Sequence, residues 1–274
     1  MTGPIPLTVV GISGSLRRGS YNTALLRAAG EEMPADMVLE LADIGDVPIY
    51  NRDEERAHGF PPSVSRLRAR VAEADALLVA TPEYNYSVTG ALKNAWDWLS
   101  RQPDPPIDGM PLAILGTGGR LGTARAQQHF RDIARHNDLL AVQKPEVLVA
   151  DAWTKFDEDL RLTDERTRDQ VRRLVLALRA LTIRDRATRH RVLVVGGDGR
   201  ATTLLREVGF DVLALPADES AVHAQDDASC DLVAVHVDAP SVVRSRLGDR
   251  FGTLIEFSSA EELVDRAEAA RSAR

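Results

Sequence analysis

Short apolar runs alternate with amphipathic segments along the whole chain. Leu7–Ile12 is a run of strand formers, and in Ser20–Met33 the residues Ala24, Leu25, Ala28 and Ala29 recur at helical spacing. The same alternation predicts a strand over Met37–Leu41, a helix over Pro62–Ala74 with Val64, Leu67 and Val71 on one face, and a strand over Ala76–Ala80. A helix over Thr89–Arg101, a strand over Leu112–Gly116, a helix over Thr123–His136 and a strand within Leu139–Val149 follow. The last helix of the series is Thr163–Leu181, apolar at Val171, Leu174, Val175 and Leu178. Such a succession of strand–helix units predicts an α/β protein, a doubly wound five-stranded parallel sheet with helices on both faces and right-handed crossovers. Ligands of such sheets sit beyond the carboxyl ends of the strands, where strand order reverses. The loops after the first, third and fourth strands are therefore the candidate site.

Arg184–His190 is short, charged and poor in apolar residues, and reads as a linker. Beyond it the alternation repeats on a smaller scale. It predicts strands Val192–Val195, Val212–Leu215, Leu232–Val237 and Thr253–Phe257, and helices Thr202–Val208 and Ala260–Ala270. Two domains are expected, 1–183 and 191–274, which suits a chain of 274 residues.

A hydrophobic fraction of 44% is enough for a packed core. The net charge of −7 disfavours a basic nucleic-acid surface, so no nucleic-acid partner is expected. The single cysteine, Cys230, excludes an internal disulfide framework and any CxxC motif, and reads as a structural thiol. The six histidines have no metal-ligand spacing, so no metal is expected. The opening MTGPIPLTVVGI lacks the charged and apolar regions of a signal peptide. No apolar stretch reaches the roughly 20 residues of a membrane span. The chain is expected to be soluble and cytoplasmic, with no membrane partner.

The first loop, GISGSLRRGSYNT (11–23), combines glycines, hydroxyls and two arginines just ahead of a helix N-terminus. Free N–H groups, a favourable dipole and guanidinium groups together describe a phosphate cradle. The pattern is neither GxxxxGK[ST] nor GxGxxG; its plainer reading is a strand-to-helix turn capped by Ser20. The second loop, TPEYNYS (81–87), carries two of the chain's four tyrosines beside amide and carboxylate groups. It suits a flat heteroaromatic ligand, a subunit contact, or both. The third, GTGGRLG (116–122), permits close backbone approach. The three together describe a planar, phosphorylated ligand.

GSLRRGSYN (14–22), PEYNYSVTGALKNAWDWLS (82–100) and GTGGRLGTARAQ (116–127) resemble the NADPH-dependent FMN reductase family, which includes flavodoxin-like quinone, chromate and azo-dye reductases. The resemblance runs in order from residue 6 to about 180 and implies a flavodoxin-like sheet. It implies that Ser15, Arg17, Ser20, Asn22 and Thr23 hold the FMN phosphate. It further implies that Pro82, Glu83, Tyr84 and Asn85 lie against ribityl and isoalloxazine, and that Thr117, Gly118 and Gly119 border the ring. NADPH would supply hydride, and a small-molecule electron acceptor would take two electrons: a quinone, an azo compound, a metal oxyanion or free flavin. The cofactor carries this chemistry, so no protein nucleophile or base is expected, and Glu83 is read as structural. The family's proline at the start of the following helix is replaced by Thr89, which is expected to cap instead. Homodimers or homotetramers built around the flavin sites are implied too. Trp98 lies off the stripe Leu92, Ala95, Trp96 and Leu99, and reads as an exposed interface residue. A second reading is an FMN-binding redox sensor that signals through the C-terminal domain.

In that domain, Asp231–Pro240 and Phe257–Leu263 resemble segments of a response-regulator receiver. His236 stands where that family has its phospho-accepting aspartate. Gly196-Gly197-Asp198 replaces its acidic pair, and Ile255-Glu256 its lysine–proline step. The resemblance implies a degenerate receiver that takes no phosphoryl group and mediates partner or subunit contacts. An unrelated Rossmann-like domain is the alternative.

Overall fold

A computed structural model describes residues 6–188, 191–196, 199–207, 211–215, 232–236, 238–239 and 254–272. The expectations for the first five residues and for Arg189, His190, Gly197, Asp198, Val208, Cys230, Asp231, Val237, Pro240 and Thr253 lie outside the described residues. The chain divides into two compact units, Met1–Ile183 and Arg184–Arg274.

The first unit contains β1 (Leu7–Ser13), α1 (Tyr21–Glu31), β2 (Met37–Ala42), α2 (Arg52–His58), α3 (Pro62–Ala72), β3 (Ala76–Ala80) and α4 (Gly90–Leu99). After these come β4 (Pro111–Thr117), α5 (Ala124–Arg135), β5 (Leu140–Ala141), β6 (Val147–Val149) and the start of α6 (Glu165–Thr188). The strands pair in parallel in the order β2-β1-β3-β4-β5, with β6 also on β4. Strand order reverses between β1 and β3. β3 and β4 are buried at every position, as central parallel strands with helices on both faces must be. Successive side chains serve opposite cores. Val9 and Leu78 pack with Leu25 of α1 and with Leu174 and Leu178 of α6, whereas Val10 and Val79 pack with Leu67 of α3, Leu92 and Trp96 of α4, and Phe130 of α5.

Several expectations need correction. The fifth strand is two short pieces. Leu112 pairs with Ala141 but Leu115 with Val147, so the register shifts between them. Pro145 lies in the gap and has no N–H to give the ladder. α2 was unforeseen because it buries none of its residues and so has no apolar period. Asn51 caps it by accepting from Asp53 N–H at 3.0 Å, and Asp53, Glu54 and Glu55 complement its N-terminal dipole. The expected linker is helical as far as Thr188: apolar periodicity fades, but no glycine or proline stops α6.

Trp98 is not an interface residue. It is 1% exposed; its indole N–H donates to Pro48 C=O at 2.8 Å, and its ring meets Tyr50 edge-on at 4.9 Å. Segment 48–60 covers this second face of α4, and Asn94 fastens it by donating to Pro48 C=O and accepting from Tyr50 N–H. The periodicity of one helix carries no information about that distant cover. Arg68 of α3 closes the other end of α4, donating to the carbonyls of Trp98, Leu99, Arg101, Pro103 and Asp104. Carbonyls that a helix C-terminus leaves without partners are thereby satisfied.

The second unit contains β7 (Arg191–Val195), α7 (Arg200–Glu207), β8 (Asp211–Leu215), β9 (Leu232–His236), β10 (Leu254–Phe257) and α8 (Ala260–Ser272). Its parallel strands are ordered β8-β7-β9-β10 around a core of Val192, Val194, Leu205, Ala234, Phe257 and Leu263. His236 ends β9 with its ring edge-on to Phe257 at 5.2 Å and its Nδ1 3.5 Å from the Asp238 carboxylate.

Candidate functional site

β1 and β3 flank the reversal in strand order, and β4 is the next strand. The three candidate loops therefore emerge side by side at the carboxyl edge of the sheet. Three side-chain links join them.

The first link is Asn22. It is 5% exposed, and its amide closes a two-bond ring with Thr117: Nδ2–H donates to the carbonyl at 2.9 Å and Oδ1 accepts from the N–H at 3.0 Å. Thr89 provides the second. It caps α4 by accepting from Leu92 N–H at 3.3 Å, and its hydroxyl donates to Gly14 C=O at 2.7 Å. The expected cap is thus present, and it also ties the first loop to the second. The third is Glu83, whose carboxylate accepts from Arg125 N–H at 2.9 Å and Ala126 N–H at 3.1 Å in the first turn of α5. It satisfies two helix-start donors and favours the dipole there.

In the first loop, Ser20 caps α1, accepting from Thr23 N–H at 3.1 Å. Thr23 Oγ1 donates to Ser13 Oγ at 2.9 Å, and Ser13 Oγ accepts from Ser15 N–H at 3.3 Å. Among the described residues, no acceptor faces the backbone N–H groups of residues 16–19 or those of Tyr21 and Asn22. Arg17 and Arg18 are exposed beside them, with no ion pair among the described residues. A run of free amides, a helix N-terminus and two guanidinium groups form a donor set that could hold an anion.

The second loop is a tight hairpin. Tyr84 and Ser87 exchange N–H···O=C bonds of 3.0 Å in both directions. Asn85 and Tyr86 between them have φ of 48° and 65°, the pattern of a type I′ turn. Positive φ is costly for a residue as bulky as tyrosine and clusters at functional sites. Tyr84 and Tyr86 are both exposed; the Arg125 guanidinium lies 3.9 Å from the centre of the Tyr86 ring. His129 Nδ1 is 3.0 Å from Ser87 Oγ.

In the third loop, Thr117 is buried, with its hydroxyl donating to Val149 C=O at 3.1 Å. A Cβ on Gly116 would stand 2.4 Å from Thr81 C=O, so only glycine fits there. Gly119 is the opposite case: a Cβ would meet nothing within 4 Å, and its backbone borders open space. Gly118 and Gly119 carbonyls accept from Ala152 and Asp151 N–H. That clamps a 3-10 turn, Ala152–Thr154, beside the loop. Nothing in the sequence pattern announced this turn.

The residues anticipated for the ligand thus divide. Ser15, Arg17, Tyr84, Asn85, Gly118 and Gly119 reach the surface of the three-loop edge, at least in part. Asn22 and Thr117 are buried, and Glu83 is turned to α5. Ser20 and Pro82 are buried too, and Thr23 is half-buried. A cavity of about 400 Å³ lined by Tyr50, Arg52, Glu55, Arg101 and His136 lies at the opposite end of α4. None of the three candidate loops contributes to it.

Residues 7–154 match the model of a family described as NADPH-dependent FMN reductase. An NAD(P)H-dependent FMN reductase of Pseudomonas aeruginosa is 51% identical over 173 residues, 63% of this chain and 93% of its own length. A quinone reductase of Escherichia coli is 43% identical over 153 residues, covering 55% of this chain and 81% of its own. Among solved structures, FerB of Paracoccus denitrificans, a flavoenzyme NAD(P)H:(acceptor) oxidoreductase, is similar with a TM-score of 0.60 at 33% identity, over 65% of this chain and 98% of that one.

Proposed function

The chain belongs to the NADPH-dependent FMN reductase family, and from that premise we propose that this FMN-dependent NAD(P)H oxidoreductase reduces a quinone-type acceptor. The net reaction is NAD(P)H + H⁺ + quinone → NAD(P)⁺ + hydroquinone. Two electrons and one hydrogen come from the nicotinamide, and the second proton comes from solvent. FMN, when bound, supplies the ring that accepts hydride and hands on two electrons.

The residues present suit that cofactor. The carrying observation is the row of acceptor-free N–H groups over residues 16–19, Tyr21 and Asn22, with Arg17 and Arg18 alongside. A phosphate dianion takes such donors through charge-assisted bonds. The open backbone at Gly119 accommodates a flat ring at contact distance. Tyr84 and Asn85 supply an aromatic wall and an amide edge on the other side. Asn22, Thr89 and Glu83 orient these elements from behind. On this reading Ser15 and Arg17 touch the phosphate, Ser20 and Thr23 shape its loop, and Asn22 acts through Thr117.

The chemistry belongs to the first unit. The family match covers residues 7–154, which lie within the first unit, and the relatives align with 55–65% of this chain but with most of their own length. Those relatives are reductases, which weighs for turnover over sensing. Assembly into dimers or tetramers through the flavin edge accords with the exposed Tyr84, Tyr86 and Leu121.

One experiment tests the core of this reading. Purified full-length protein is expected to carry, or take up, FMN with a flavin visible spectrum, and to oxidise NADPH or NADH with a naphthoquinone at a one-to-one ratio. Protein that binds no flavin, or that bleaches with NAD(P)H but passes no electrons to the quinone, would overturn it. A chain ended after Thr188, which preserves all of α6, is expected to retain both properties.

A further inference from the structure

We propose that Trp153 is a specificity-determining residue of this site, an aromatic platform that selects planar, electron-poor aromatic acceptors. The inference rests on the quinone-reductase reading above. Of the chain's three tryptophans, Trp96 and Trp98 are 2% and 1% exposed, whereas Trp153 is 61% exposed. A large apolar surface left in water is unfavourable unless something covers it in use.

Trp153 is exposed on a rigid mount. Ala152 before it and Phe156 after it are buried. Thr154 donates to Asp151 C=O through its N–H at 2.9 Å and its hydroxyl at 2.8 Å. Lys155 N–H donates to Ala152 C=O at 3.0 Å. Asp151 starts the turn at a φ of 49° and donates to Gly119 C=O, and Ala152 donates to Gly118 C=O at 3.2 Å. The turn is therefore fixed to the third loop at Gly118 and at Gly119, whose backbone borders open space. A fixed, exposed ring is a better stacking surface than a mobile one, because little freedom is lost when it is covered.

The exposure of Trp153 is shared by its neighbours along the same edge. Leu16, Tyr84, Tyr86 and Leu121 are also large exposed apolar residues, and they sit on the loops after β1, β3 and β4. Trp153 follows β6, which pairs with β4. Five such residues thus crown adjacent strands at one edge of the sheet. Indole is electron-rich on its face, and a quinone, nitroarene or azo-arene is electron-poor, so offset stacking between them is electrostatically favourable. An inorganic oxyanion gains nothing from it.

The test uses the full-length, FMN-loaded protein with Trp153→Ala and Trp153→Phe. With 1,4-naphthoquinone, Trp153→Ala is expected to raise KM about three- to tenfold, the range that an aromatic pair supplies. The KM for ferricyanide, which has no ring to stack, and the KM for NADPH should move less than twofold. Trp153→Phe should recover most of the naphthoquinone affinity. A second readout needs no turnover. Since the other two indoles are buried, the emission quenched by acrylamide is that of Trp153, and naphthoquinone titrated without NADPH should quench the same component, absent from Trp153→Phe. An unchanged naphthoquinone KM in Trp153→Ala, a rise shared equally by ferricyanide, or a change in molecular mass by light scattering would overturn the proposal, the last by making Trp153 a subunit contact. Wild-type protein that binds no FMN would instead remove the proposed function itself.

Discussion

Asn22 and Thr117, 95 residues apart in sequence, hold the first and third loops together through two buried hydrogen bonds, one in each direction. Replacing Asn22 by alanine leaves a buried N–H and a buried C=O without partners, each worth about 1–3 kcal/mol. Asn22→Ala is therefore expected to lower the melting temperature of the apoprotein and to weaken FMN binding together. Asn22→Asp should fall between it and wild type: the carboxylate still accepts from Thr117 N–H but opposes Thr117 C=O. Thermal denaturation with and without FMN measures both effects. An Asn22→Ala protein of unchanged melting temperature but weaker binding would make Asn22 a direct phosphate ligand.

Arg17 should behave in the opposite way. Its side chain is exposed and has no partner among the described residues, so the fold does not depend on it. Arg17→Ala should leave the apoprotein's melting temperature within a degree or two. It removes a charge-assisted contact of about 1.5–3 kcal/mol, which corresponds to roughly a 10- to 100-fold loss of FMN affinity. Calorimetric titration at two salt concentrations checks it: wild-type affinity should fall with salt more steeply than that of the variant.

The loops were legible before the fold because their chemistry is local. Hydroxyls, arginines and glycines lie within a few residues of one another, and the reversal of strand order that gathers them follows from chain topology. What was illegible depends on distant partners. Residue type does not tell whether Asn22 faces a ligand or Thr117. Trp98 looked like an interface residue because the segment over it, 48–60, comes from well before α4. α2 lacks any apolar stripe, so periodicity could not find it, and α6 outran its own apolar pattern by about two turns because nothing breaks it. Trp153 lies on a short 3-10 turn, for which amphipathic patterning has no signal.

Two glycines of the third loop make a controlled comparison. Gly116→Ala would drive a Cβ to 2.4 Å from Thr81 C=O and 2.2 Å from Thr123 Oγ1, and the first of these is backbone. Overpacking of this kind costs about 1–3 kcal/mol or more, so Gly116→Ala should be expressed poorly or melt several degrees lower. Gly119→Ala meets nothing within 4 Å and should melt like wild type. If the flavin ring rests on that backbone, the same methyl should still weaken FMN binding. Equal FMN affinity in Gly119→Ala would move the ring elsewhere.

Glu83 gives a test of the second loop that separates cap from catalyst. Glu83→Ala removes the acceptor of Arg125 and Ala126 N–H, a loss of about 0.5–2 kcal/mol for a helix N-cap. Glu83→Gln keeps an acceptor oxygen and should recover most of that stability. Turnover should follow the melting temperatures, with both variants active when assayed well below unfolding. A Glu83→Gln protein that is fully stable but catalytically dead would assign the carboxyl a proton-transfer role.

The acid limb of stability should carry the signature of Asp164. This carboxylate precedes α6 and accepts from Lys155 Nζ at 2.9 Å, from Thr167 N–H at 2.9 Å and from Thr167 Oγ1 at 2.6 Å. The lysine ammonium first, and the threonine donors after it, lower its pKa from the ordinary 3.8 to about 2. The folded-state value lies below the unfolded one. The stabilisation is therefore complete above the unfolded value and is lost as pH falls from near 4 through about 2. Lys155 and Asp164 side chains are 30% and 25% exposed, so solvent screens part of the attraction and the amplitude is modest. Asp36, lowered in the same direction by Arg179, gives a parallel background slope that substitution at Asp164 leaves intact. Asp164→Asn keeps an acceptor for the helix start but loses the charge. It should melt below wild type at pH 6 and converge with it as pH approaches 2. Melts at pH 6, 5, 4, 3 and 2 decide the matter: a gap that stays constant with pH would mean that Asp164 acts through packing or neutral hydrogen bonds alone.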